Sequence, residues 1–168
     1  MDELEKTTEK EAFWRFSLAF YERSGVADAL IALQDRDGFD VNLILFALWL
    51  GVSGRGTLRG DALATAERVA ATLRSEFVEP LRSLRRKLRH HPDGDVRKLR
   101  EGVKALELAG EKLVQERLAR LARCARTDPR GWRATAHANL ALYLGKEGVR
   151  SKEAGVIEQA LDAFTRDL

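Results

Sequence analysis

Five oxygen-bearing side chains lie close together in the stretch QDRDGFDVN, where an acidic turn leads into the most apolar segment of the chain. We call this set the acidic rim, and it comprises Gln34, Asp35, Asp37, Asp40 and Asn42. Oxygen ligands at alternating positions are typical of Ca²⁺ or Mg²⁺ sites. The segment DRDGFDVNLILF differs from a calcium loop, however, because its glycine stands fourth rather than sixth and phenylalanine replaces the final glutamate. A helix cap with a solvated turn explains the same residues, and the rim of a ligand groove is the alternative.

A second group, rich in cations, surrounds the turn HHPDGD. We call it the basic segment, and it comprises Arg82, Arg85, Arg86, Lys87, Arg89, Arg97, Lys98 and Arg100. Such a patch could contact an acidic protein, nucleic acid or an anionic membrane surface. The segment contains no aromatic residue for base stacking and no known reader motif, which weighs against nucleic acid. A solvated helix face explains the pattern equally simply.

The remaining polar motifs do not indicate catalysis. The histidines and Cys124 stand at no spacing that marks a nucleophile with its base. The glycine-rich stretch SGRGTLRG lacks the order of a phosphate-binding loop and follows a helix rather than a strand, so it reads as a flexible connector. The sequence therefore predicts no catalytic residue, no metal centre and no cofactor.

Composition places the chain among ordinary globular proteins. Of its 168 residues, 45% are hydrophobic and 33% charged, and the net charge is only +3. The acidic N-terminus predicts no secretory signal, and the lone cysteine favours a reducing, cytoplasmic compartment. The longest apolar run is about a dozen residues, whereas a membrane span needs roughly 20. Alanine, leucine, arginine and glutamate recur and β-branched residues are sparse, which favours helices.

The hydrophobic periodicity predicts an all-α, single-domain bundle of about six to seven helices over residues 1–168, with residues 1–8 disordered or frayed. Phe13, Phe16 and Phe20 form one stripe of a first helix expected from about Glu9 to Arg23. A second helix should end at Gly38.

Residues 41–50 contain one polar side chain, Asn42, so we expect a central helix surrounded by the others and capped by Asp40. Asp61 and Asp95 are expected to cap later helices, and Pro80 should kink or restart one.

Residues 96–126 predict one long helix or two joined near Gly102 or Gly110. Its apolar side would be lined first by Val96, Leu99, Val103 and Leu106 and then, after a phase slip, by Leu113 or Val114, Leu118, Leu121 and Ala125. An unsupported helix of this length would suggest a homodimer. Asp128 and Pro129 should start the next helix.

The segment FWRFSLAFYERSGVADALIALQDRDGFDVNLILFALWLG, residues 13–51, resembles the signature of an uncharacterised family of small all-helical proteobacterial proteins. In that family, an FW.FS..FY opening precedes a GV..ALL.LQD..G.DVN...F..WL block. The resemblance implies a bacterial, cytosolic, stand-alone domain. It supplies no activity, cofactor or catalytic residue.

Three functions remain open. The first is a non-enzymatic interaction protein that binds another protein through the basic segment or a groove beside the first helix. The second is nucleic-acid binding through the same cations. The third is a small-ligand or metal-dependent enzyme that uses the acidic rim.

Overall fold

The computed structural model describes residues 3–122 and 131–164, with side chains from residue 11 onward. Eight α-helices follow in the order α1 (Glu3–Tyr21), α2 (Val26–Asp37), α3 (Val41–Val52), α4 (Gly60–Leu73), α5 (Glu79–Arg89), α6 (Gly94–Leu121), α7 (Trp132–Gly148) and α8 (Lys152–Asp162). A π-helical turn, Arg74–Val78, joins α4 to α5 without a break, so the described ranges contain seven separate helical rods and no strand. The predicted all-α, single-domain bundle is confirmed.

Helix α3 lies at the centre of the bundle. Every residue of this helix after Val41 is buried, and it contacts α1, α2, α4, α6 and α7. The backbone amide of Asn42 donates to the carboxylate of Asp40, which caps the helix as expected. Gly38 ends α2 in the left-handed conformation, also as expected. The central position of α3 is therefore confirmed.

The aromatic residues of α1 pack against different parts of the bundle. Phe13 stacks on Trp49 of α3, with ring centroids 4.9 Å apart. Phe16 and Phe20 lie edge-on to Phe164, after α8, at 5.5 and 5.8 Å. Trp14 is only partly buried, on another side of the helix. Helix α1 thus packs on two sides, and it begins at Glu3, earlier than the expected start near Glu9.

The glycine-rich connector after α3 is held more firmly than its sequence predicts. Asn139 of α7 is fully buried and donates to the carbonyl oxygens of Ala47 and Gly56, both at 3.1 Å. It also accepts the backbone N–H of Leu58 at 2.7 Å. One side chain therefore ties the connector to both α3 and α7, and Leu58 joins the core.

Two predicted helix caps are corrected. Asp61 lies inside the first turn of α4, which begins at Gly60, and makes no capping hydrogen bond. Asp93 rather than Asp95 caps α6, because its carboxylate accepts the amides of Asp95 and Val96. Pro80 lies in the first turn of α5, directly after the π-helical turn, and the helical rod continues through it, so the predicted restart does not occur.

Helix α6 is one continuous helix of 28 residues, about 42 Å long at 1.5 Å per residue. The predicted apolar side is wrong over the first half of the helix, where Leu99 and Leu106 are 63% and 59% exposed and Glu107 is buried. Over the second half Val114 and Leu118 are buried as expected, together with Gln115. The expectations for Cys124, Asp128, Pro129 and residues 123–126 fall outside the described residues.

Helices α3 and α7 approach so closely that only glycine fits between them. A Cβ atom added at Gly51 would lie 2.4 Å from the backbone nitrogen of Ala136 and 2.6 Å from its Cα. We therefore expect Gly51→Ala to lower the free energy of unfolding by about 3 kcal/mol, because overpacking forces both backbones apart. Urea denaturation followed by circular dichroism measures this loss.

Gly102→Ala is the matched control, since a Cβ there meets nothing within 4 Å. This variant should stabilise α6 by about 0.5–1 kcal/mol through helix propensity alone. Equal effects of the two substitutions would contradict the close approach of α3 and α7.

Candidate functional site

A cavity of about 420 Å³ opens between α1, α2, α3, α5 and α6. Its wall is largely apolar and comprises Trp14, Leu18, Tyr21, Ile31, Val41, Leu45 and Leu108. Its polar lining comprises Ser17, Gln34, Asp35, Asn42, Arg82, Arg85, Arg86, Glu107, Glu111 and Gln115. The fold therefore brings three members of the acidic rim and three of the basic segment to one site.

Glu107 holds α5 against α6 at one edge of this cavity. Its carboxylate accepts Nε of Arg82 at 3.1 Å and both Nε and Nη2 of Arg85. Burial acts to raise the pKa of Glu107, but the hydrogen bonds from Arg85 and Arg82 outweigh it and leave the pKa below its ordinary value. Glu107 is therefore an ionised, paired group rather than a free acid.

Glu111 lies one turn further along α6 and begins a chain of polar contacts. Its carboxylate accepts Nη2 of Arg82 at 2.7 Å and Nδ2 of Asn42. The Oδ1 atom of Asn42 in turn accepts Nε2 of Gln115 at 3.0 Å. Burial raises the pKa of Glu111, and the contacts with Asn42 and Arg82 offset only part of that rise. The single polar side chain of α3 is thus linked to two residues of α6.

The other members of the acidic rim lie elsewhere. Asp37 pairs with Arg36 at 2.7 Å, and the same guanidinium reaches Glu153 of α8. Asp40 caps α3, and its backbone amide donates to the hydroxyl of Tyr143 at 2.8 Å. The acidic rim is therefore divided between a helix cap, an exposed ion pair and the cavity.

The basic segment is likewise divided. Arg97 donates to the carbonyl oxygens of His91 and Pro92, and Lys98 and Arg100 pair with Asp95 and Glu101. In the described ranges, three of the eight predicted cations have neither an ion-pair nor a hydrogen-bond partner, and these are Arg86, Lys87 and Arg89.

Sequence reasoning missed the three polar cavity residues of α6. Glu107, Glu111 and Gln115 are spaced by four residues, so they form one polar stripe on a helix. This spacing was a usable signal. The leucines of the same helix form a competing stripe, and a leucine stripe is normally the buried one.

Comparison with known families gives one match, over residues 12–118, to the family described as protein of unknown function (DUF2390). The matched range contains every residue that lines the cavity. The chain belongs to this family. The resemblance seen over residues 13–51 is thus confirmed as one to a family without an assigned activity, and it extends into α6. No curated protein and no solved structure matches the chain.

Two negative findings concern the described ranges alone. No helix there is both long and apolar enough to cross a bilayer. No three histidine, cysteine, aspartate or glutamate side chains there converge as metal ligands.

We expect Glu107→Gln to lower the free energy of unfolding by about 3 kcal/mol at pH 7, because it removes the only carboxylate paired with the partly buried Arg85 and one of the two paired with Arg82. Glu101→Gln is the control, since Glu101 is 70% exposed and should contribute no more than about 0.5 kcal/mol.

The effect of Glu107→Gln should depend on pH in a defined direction. The folded pKa of Glu107 is lowered, so its stabilisation is complete above the ordinary carboxyl pKa and is lost as the pH falls through the folded value. The stability difference between wild type and variant should therefore shrink on acidification. Urea titrations between neutral and strongly acidic pH test this, and a difference independent of pH would contradict the ion pairs.

Proposed function

We propose that this protein is a cytoplasmic, non-catalytic interaction protein that binds an acidic amphipathic helix of another protein on the exposed face of α6. One observation supports this most directly. Leu99, Leu106 and Leu113 are 63%, 59% and 38% exposed and are spaced by seven residues. Seven residues are nearly two helical turns, so the three side chains lie on one face, the arrangement that a partner helix recognises.

This leucine stripe lies on a different side of α6 from the cavity. On α6, Leu106 of the stripe does not line the cavity, whereas Leu108 does. Residues two positions apart on a helix point in directions that differ by about 200°, so these two side chains lie on nearly opposite faces. An exposed apolar surface of this kind is typical of a protein interaction site.

The charge around the stripe favours an acidic partner. Arg120 occupies the next seven-residue position after Leu113, and Arg117 lies one turn after that leucine. Both are exposed, as is Lys87 on α5, and none of the three pairs with a described carboxylate. A second copy of this chain would bring the same positive charges to the contact, which opposes self-association. A helix with aspartate or glutamate beside its apolar stripe would complement the surface.

Nucleic-acid binding through the basic segment receives less support. Five of its eight cations are engaged in hydrogen bonds within the protein. Phosphate contacts would have to compete with these partners, two of which are the buried carboxylate of Glu107 and the partly buried carboxylate of Glu111.

Site-specific photocrosslinking tests the proposed surface. We expect a photoreactive residue at position 106 to capture a protein in cells of the source organism, through a peptide that forms an acidic amphipathic helix. Position 142 is the control, because Leu142 is 44% exposed but lies on α7. Leu99→Glu should weaken binding of the purified helix at least tenfold, because it places a charge in the apolar contact and repels the acidic flank.

Four outcomes would overturn the proposal: no crosslink at position 106, equal crosslinking at position 142, capture of a second copy, or capture of nucleic acid that nuclease removes.

A further inference from the structure

The cavity beside α1 has an apolar wall, which is typical of small-molecule binding sites. Leu18, Tyr21, Ile31 and Leu108 all line it, and each is more than a third exposed. Four of the large apolar side chains that the protein exposes thus converge on one concave surface. Its volume of about 420 Å³ is within the range of small-ligand pockets.

One buried polar atom among the residues that line the cavity has no hydrogen-bond partner. Gln115 lines the cavity and is only 3% exposed. Its Nε2 atom donates to Asn42, but its buried Oε1 atom accepts no hydrogen bond from any residue that the structure describes. A buried carbonyl oxygen without a donor is unfavourable and unusual in a folded protein.

The direction of the Gln115 amide is fixed by its neighbours. The carboxylate of Glu111 can only accept, so Asn42 must turn Nδ2 toward it. The Oδ1 atom of Asn42 then faces Gln115 and requires a donor, which Nε2 supplies. Reversing the Gln115 amide would place two acceptors against each other, so Oε1 remains the atom without a partner.

We infer that the cavity binds a small apolar molecule that carries one N–H donor, with the donor directed to Oε1 of Gln115. The apolar wall would hold the body of the ligand, and Gln115 would select for the donor. A charged head is not required, because the buried and partly buried charges of the cavity, Glu107, Glu111, Arg82 and Arg85, already pair with one another, and Asp35 and Arg86 are exposed. This site is separate from the helix-binding surface on α6.

Indole and 1-methylindole form a matched pair of probes, since they differ only in whether the ring nitrogen carries a proton. We expect indole to bind the full chain in isothermal titration calorimetry and 1-methylindole to bind at least tenfold more weakly. The physical reason is that the methylated ring leaves the buried carbonyl oxygen without a donor.

Two variants locate the site. Gln115→Met keeps the length of the side chain but removes its acceptor, so it should abolish the discrimination between the two probes. Ile31→Arg should prevent both from binding, since it places a charge on the apolar wall. Ile31 is 45% exposed, so this variant should fold even if Gln115→Met does not. Leu142→Arg is the control for an exposed apolar residue elsewhere and should change nothing.

Three results would overturn the inference: no binding of indole up to its solubility limit, equal affinities for the two probes, or binding that Ile31→Arg leaves intact. Retention of the tenfold preference by a folded Gln115→Met protein would also overturn it.

Discussion

The fold depends on the burial of a helix on all sides. Helix α3 has one polar side chain in twelve residues, so no face of it can be left in water, and other helices must cover it completely. This burial is favourable for the side chains but leaves the backbone groups at the helix ends without water. The bundle therefore needs polar residues at those ends. Asp40 provides the cap at one end, and Asn139 stabilises the connector that leaves the other.

The same constraint gives rise to the polar cavity. Asn42 is buried on α3, so both ends of its amide require partners. Those partners, Glu111 and Gln115, come from α6, and a carboxylate at that depth needs cations in turn. Arg82 on α5 supplies one, and it also pairs with Glu107, whose carboxylate is shared with Arg85. One buried asparagine is thus linked, through Glu111 and Arg82, to charged residues on two other helices that line the cavity.

Much of the fold could be predicted from local patterns, whereas the site could not. The apolar run of α3, the cap at Asp40 and the end of α2 at Gly38 all follow from neighbouring residues, and each prediction is confirmed. The choice of buried face on α6 is different, because that helix carries both a leucine stripe and a Glu107–Glu111–Gln115 stripe. Periodicity favours burial of the leucines. The acidic stripe is buried only because arginines of α5 neutralise it, and that pairing depends on how two helices meet.

Helices α5 and α6 lie between the cavity and the leucine stripe. The strength of the ion pairs that join these helices decides whether a ligand in the cavity can change the leucine stripe. Separating a buried carboxylate from its arginines costs roughly 3–5 kcal/mol. A single hydrogen bond to Gln115 contributes only about 1 kcal/mol. A ligand can shift a conformational equilibrium by no more than its difference in affinity for the two states. The hydrogen bond of a ligand to Gln115 is therefore too weak to part α5 from α6 and move the leucine stripe, so we expect the two proposed sites to act independently.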